Sequence, residues 1–203
     1  MIRSTLAAGL LAVALGLCLG ACQRPSPATM SVFAATNATD AGSTQELDLT
    51  DPEGRPRRLA DFRGRVVVVT FGYTHCPDFC PTTLADMARA MKLLGDDAAR
   101  VQVLFVTLDP KRDTPALLAQ YVPSFDPHFL ALRGDALATA KAARSFGVDY
   151  REQPGGAPDS YTLDHTAGSF VVDARGKLRL FLHYGTHPDQ VARDLRALLR
   201  ATA

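Results

Sequence analysis

The chain has 203 residues, with 22 Lys+Arg against 21 Asp+Glu, a net charge of +1, and 47% hydrophobic side chains. That length allows one or two domains, and the apolar share is that of an ordinary globular protein. Basic residues are dispersed, with no run beyond Arg-Pro-Arg-Arg at 55–58, so nothing points to a nucleic-acid or other polyanionic partner.

At the N-terminus a single charge, Arg3, precedes the apolar run LAAGLLAVALGLCL at 6–19 and then Gly-Ala-Cys. A short basic start, an apolar stretch and a small-residue cleavage site make residues 1–22 an export signal. The run is too short to cross the bilayer, which takes about 20 residues. Leu19-Gly20-Ala21-Cys22 is similar to the lipobox of bacterial lipoproteins, which implies cleavage and lipidation at Cys22. A plain cleaved signal and an uncleaved anchor are the alternatives. All three deliver the chain to an oxidising compartment. With Cys18 and Cys22 consumed by the signal, the thiol chemistry is concentrated at Cys76 and Cys80.

Residues 23–45 are small and polar with no sustained period, which predicts a flexible tether. Residues 46–203 then form one domain large enough for a real core. Alternating apolar positions around Asp-Pro-Glu-Gly at 51–54 predict an N-terminal hairpin. The β-branched run 65–73, RVVVVTFGY, predicts a strand buried on both faces. Leu84, Met87, Met91 and Leu94 recur at helical spacing until Gly95. A second buried strand follows at 101–109, and then a helix capped by Thr114 with Pro115 at its first position. A short strand at 128–134, a helix at 135–147 closed by Gly147, a hairpin at 168–185 and a last helix at 187–201 complete the chain. This order predicts an α/β fold, a mixed sheet with helices on both faces, of thioredoxin-like architecture.

The segment Thr-His-Cys-Pro-Asp-Phe-Cys-Pro at 74–81 lies between the first buried strand and the following helix. Proline is tolerated in the first turn of a helix, so Pro81 predicts a helix beginning near 81, with Cys80 at its cap and Cys76 in the loop. Backbone N–H groups and the positive end of the helix dipole there stabilise a thiolate. Both cysteines sit at the carboxyl end of a central strand, where open α/β sheets bind ligands. Three intervening residues still permit a disulfide, and equally allow both sulfurs to face one soft metal such as Cu(I), zinc or iron–sulfur. A structural zinc site takes four protein ligands, and there is no second cysteine pair.

The candidate third ligand is His165, which precedes a predicted strand where thioredoxin-like oxidoreductases place a cis-proline. No proline occurs between 159 and 187. Asp164 is placed to orient the imidazole from the outer shell. Met87 and Met91 read as core, and His75, His128, His183 and His187 as structural. The segment 109–115, DPKRDTP, reads as a turn and helix cap at the same sheet edge.

Three blocks carry a resemblance to a known family: LADFRGRVVVVTFGYTHCPDFCPTTLADM, FVTLDPKRDTPALLAQYVPSFDPHFLAL and DHTAGSFVVDARGKL. Together they resemble the Sco/SenC family over about residues 46–200. The resemblance implies a membrane-tethered thioredoxin-like domain that binds one copper, Cu(I) or Cu(II), through Cys76, Cys80 and His165. It also implies a role in assembling the Cu(A) centre of cytochrome c oxidase subunit II, as a metallochaperone. The alternative is a thiol–disulfide reductase, with Cys76 and Cys80 as a redox-active disulfide. Localisation is expected on the periplasmic side of a bacterial membrane, through a lipid on Cys22.

Overall fold

β-Branched side chains favour extended backbone, and the valines at 66–69 build the central strand of a six-stranded mixed sheet. The computed structural model describes residues 33, 35–39, 45–156 and 160–201. Its strands are β1 (Thr36–Asn37), β2 (Asp48–Thr50), β3 (Pro56–Arg58), β4 (Val66–Gly72), β5 (Val101–Thr107), β6 (Leu130–Leu132), β7 (Tyr150–Pro154), β8 (Tyr161–His165), β9 (Gly168–Val172) and β10 (Leu178–His183). The helices are α1 (Phe79–Leu94), α2 (Pro115–Tyr121), α3 (Ala136–Ser145) and α4 (Pro188–Ala201). The export signal with Cys18 and Cys22, and most of the expected tether, lie outside the described residues. Among the described residues no helix is long and apolar enough to cross a membrane.

The sheet runs β1-β10-β9-β4-β5-β6. β4 and β5 are parallel, as are β5 and β6, while β9 lies antiparallel to β4 and β10 antiparallel to β9. Every residue of β4 is buried, as its unbroken apolar run requires. α1 and α4 pack together over one face. On the other face the Phe146 ring, just after α3, meets Phe71 and Phe170 at 5.4 and 5.3 Å between centroids. β4 ends with its carboxyl terminus aimed at the cysteine loop, and β5 ends beside it at the 109–115 segment.

Three features differ from the sequence expectation. Residues 36–37, inside the stretch read as a tether, pair with Leu180 and Phe181 of β10. The Ala35 N–H also donates to the buried Asp194 carboxylate of α4 at 2.8 Å. A two-residue strand has no periodicity for a sequence to display. Second, β7 and β8 form a separate hairpin where only a loop was read. Their residues are largely polar, so the alternation that marks a half-buried strand is weak. Third, α1 begins at Phe79 with Asp78 at its cap, so Cys80 is the second helical residue and Pro81 the third. Pro81 still costs no hydrogen bond there, because first-turn N–H groups have no partner within the helix. The Thr114 cap is as read: its side chain accepts from the Leu117 N–H, with Pro115 first in the helix.

Gly72 closes β4 in tight surroundings. A Cβ there would lie 2.7 Å from the Cys80 sulfur and 3.0 Å from the Phe105 ring. Both neighbours are buried, so the overlap cannot be relieved toward solvent. Gly72→Ala is expected to destabilise the fold by about 1–3 kcal/mol, the usual cost of overpacking a core. Chemical denaturation checks this, and an unchanged midpoint would mean that Cys80 has room to move.

Candidate metal centre

Three segments meet at the carboxyl end of β4. The chain leaves the strand at Tyr73 and turns so that the Cys76 N–H donates to the Tyr73 carbonyl at 3.3 Å. The loop is fixed from below by Asp113, which is fully buried. Its carboxylate accepts from the Thr74 hydroxyl at 2.6 Å, from the Thr74 N–H at 3.1 Å and from the Thr107 hydroxyl at the end of β5. α1 then starts, and the Cys80 N–H in its first turn donates to the Cys76 sulfur at 3.4 Å. The third segment is the β7–β8 hairpin, whose final residue is His165.

The Cys76 and Cys80 sulfurs and a ring nitrogen of His165 all lie within 4.8 Å of one another, and both cysteines are free thiols. Among the described residues no other group of three or more His, Cys, Asp or Glu has this convergence. The His165 Nε2 is 3.7 Å from the Cys80 sulfur. Its Nδ1 lies 3.0 Å from the Thr166 carbonyl, which can only accept, so Nδ1 carries the proton and the Nε2 lone pair faces the sulfurs. The Thr166 peptide is itself pinned by exchange with Asp149, through Thr166 N–H to the Asp149 carbonyl and Asp149 N–H to the Thr166 hydroxyl.

The expected outer-shell role of Asp164 is not what its hydrogen bond shows. Its carboxylate accepts from Gln153 across the hairpin at 2.7 Å. Successive side chains of a strand point to opposite faces, so a residue adjacent to His165 in β8 is badly placed to hold the imidazole. The remaining histidines are engaged elsewhere. His75 faces the Thr74 hydroxyl, His128 pairs with Asp126, His183 with the Thr36 hydroxyl and His187 with Asp189. Met87 and Met91 are buried core residues of α1.

The two thiols are electrostatically unlike. The Cys76 thiol is lowered to about 5, chiefly by the hydrogen bond from the Cys80 thiol. Burial opposes this, while the Cys80 and Asp78 backbone N–H groups add to it. Cys80 is pushed strongly up, by that same hydrogen bond and by its burial. A cavity of about 370 Å³ lined by Tyr73, Cys76, Phe79 and His165 opens onto the site, so of the two cysteines Cys76 is the one that borders it. Two soft sulfurs and one borderline nitrogen form a donor set that suits Cu(I).

The reading from the sequence did not assign Asp113, Asp109, Arg112, Tyr73 or Tyr161 to the site. Asp109, Arg112 and Asp113 fall in the 109–115 block, read there as a helix cap, whereas Tyr73 and Tyr161 carry no local signal of their own. The block is a cap, and it also holds the loop.

The chain is matched over residues 35–200 by the family model described as SCO1/SenC. It is 34% identical over 158 residues to the mitochondrial SCO2 homolog of Mus musculus, a match covering 77% of this chain and 62% of that protein. It is 31% identical over 152 residues to the SCO2-like protein of Rickettsia felis, covering 74% of each. Among solved structures, Bradyrhizobium japonicum ScoI with copper bound superposes with a TM-score of 0.70 at 37% identity, over 76% of this chain and 98% of that one. Apo Sco1 from Thermus thermophilus superposes with a TM-score of 0.72 at 39% identity, over 83% and 96% respectively.

Because the thiolate is the nucleophile and Cys76 ionises well below the ordinary thiol range, the reduced protein should alkylate first at Cys76. Reactivity is expected at neutral pH and should be lost as pH falls through about 5, where Cys76 takes up its proton. Mass mapping of iodoacetamide adducts against pH checks this. Equal labelling of Cys80 at neutral pH would show that the two thiols are not differentiated.

Proposed function

Since the chain belongs to the SCO1/SenC family, we propose that it is an exported copper carrier. Cys76, Cys80 and His165 hold one copper ion, and the chain delivers it to the Cu(A) site of cytochrome c oxidase subunit II. The observation that carries the reading is the convergence of two free thiols and an imidazole within 4.8 Å. A relative of the same fold, the Bradyrhizobium ScoI, carries copper. The metal is cargo, so the site must bind it firmly and still release it. Two thiolates alone leave Cu(I) open to other thiols, and the imidazole closes the set. Cys76 at the cavity is the donor that a partner's thiolate reaches first. An export signal over 1–22, a lipid on Cys22 and a tether after it would hold this site on the periplasmic side of a membrane.

The divergent acidity of the two thiols favours a second reading, a thiol–disulfide reductase. There the Cys76 thiolate attacks a partner's disulfide and Cys80 displaces the mixed disulfide. The partner gains two thiols as Cys76 and Cys80 become a disulfide. This chemistry does not use His165.

Under anaerobic, reducing conditions the protein should bind one Cu(I) per chain. Cys76→Ser or Cys80→Ser should abolish tight binding, and His165→Ala should weaken it roughly tenfold or more. In cells, His165→Ala should lower Cu(A) absorbance of the oxidase, with partial recovery on added copper. Full Cu(A) loading in His165→Ala beside loss in Cys76→Ser would favour the reductase. Unchanged Cu(I) affinity in Cys76→Ser would overturn the site.

A further inference from the structure

His165 is carried by a hairpin that pairs only with itself, outside the six-stranded sheet that positions both cysteines. Its distance from the sulfurs therefore depends on what docks the hairpin, and the 109–112 segment does so from the end of β5. Arg112 Nη1 donates to the Tyr161 carbonyl at 2.8 Å. Its guanidinium carbon lies 3.6 Å from the centroid of the Tyr161 ring and 5.7 Å from that of Tyr73. The Tyr73 hydroxyl accepts from the Leu163 N–H at 3.2 Å, two residues before His165. Asp109, itself buried, accepts from Arg112 Nε and from the Tyr161 hydroxyl, the latter at 2.8 Å. Arg112 Nη2 is buried without a hydrogen-bond partner. An aromatic face accommodates a cation of this kind without conventional acceptors.

We propose that Arg112, oriented by Asp109 and seated on Tyr161, is a positioning clamp that holds the His165 hairpin against the cysteine loop and so sets how firmly the imidazole closes the three-donor site. What the clamp serves rests on the copper-carrier reading; the clamp itself rests on the contacts. A planar fork is needed because one side chain must meet a carboxylate, a carbonyl and a ring together, which an ammonium cannot do. The guanidinium's contacts are with Asp109, Tyr161 and Tyr73, so its influence on the site passes through the hairpin.

The test uses the full chain with Arg112→Gln, Arg112→Lys, Tyr161→Phe and, as a control on the exposed Lys111–Glu152 pair, Lys111→Ala. Hydrogen exchange of the metal-free protein is followed over 161–166, and Cu(I) affinity by competition with a colorimetric chelator. In Arg112→Gln the β8 amides should exchange faster than in wild type, and Cu(I) affinity should fall about tenfold, as for loss of an outer-shell partner. Arg112→Lys should behave like Arg112→Gln, Tyr161→Phe should show a smaller change in the same direction, and Lys111→Ala should match wild type. In a His165→Ala background Arg112→Gln should cost no further affinity, because the clamp acts only through that imidazole. A merely structural role would lower affinity equally in both backgrounds, and that result overturns the proposal. Unchanged exchange over 161–166 in Arg112→Gln overturns it too. If Arg112→Gln does not fold, Arg112→Lys and Tyr161→Phe carry the same comparison. If wild type binds no Cu(I), the carrier reading falls and the exchange result alone decides the clamp.

Discussion

A carboxylate removed from water must take all its hydrogen bonds from the protein, and at Asp113 that requirement organises the whole sheet edge. The group is fully buried, and its donors come from two different segments: Thr74 in the loop after β4 and Thr107 at the end of β5. Satisfying it therefore ties two neighbouring strand ends together. The Arg133 guanidinium adds bonds to the Asp113 and Pro110 carbonyls, at 3.2 and 2.9 Å, which anchors the same segment from beyond β6. With the loop held at its first residue, the chain has little freedom before α1 begins. The Cys76 sulfur is thereby delivered to the first-turn N–H of Cys80.

The same geometry makes the sulfurs unequal. Cys80 sits in the helix, against Gly72 and Phe105, where burial disfavours charge. Cys76 lies on the loop, collects N–H donors and faces the cavity. Both sulfurs are buried, yet one is pushed toward its protonated form and the other toward its ionised form, although only three residues separate them. Such a pair serves ligand exchange and disulfide exchange equally well, and the imidazole is the component that distinguishes the two chemistries.

That imidazole reaches the site by a different route from the sulfurs. The cysteines depend on the central sheet and α1, whereas His165 depends on a polar hairpin with few buried side chains of its own. Such an element gains little stability from hydrophobic burial, so directed polar and cation–π contacts have to locate it. Arg112 sits where those contacts converge. The short link from His165 to β9, with the Thr166–Asp149 exchange across it, fixes the ring's orientation once the hairpin is docked.

Local patterns in the chain were sufficient for the strands at 66–72 and 101–107, for the helices with their Thr114 cap, and for singling out Cys76, Cys80 and His165, which the fold brings within 4.8 Å of one another. The strand and helix readings hold because a buried strand needs an unbroken apolar run and a helix needs its 3.6-residue spacing. The polar hairpin, the pairing of residues 36–37 with β10, and the true start of α1 left no such pattern. Asp164 was chosen because it is next to His165 in the chain, yet neighbours in a strand face opposite ways. Only the fold could assign that work to Thr166, Asp149 and the 109–112 segment, since a hydrogen bond across 49 or 52 residues of chain has no signature in local spacing.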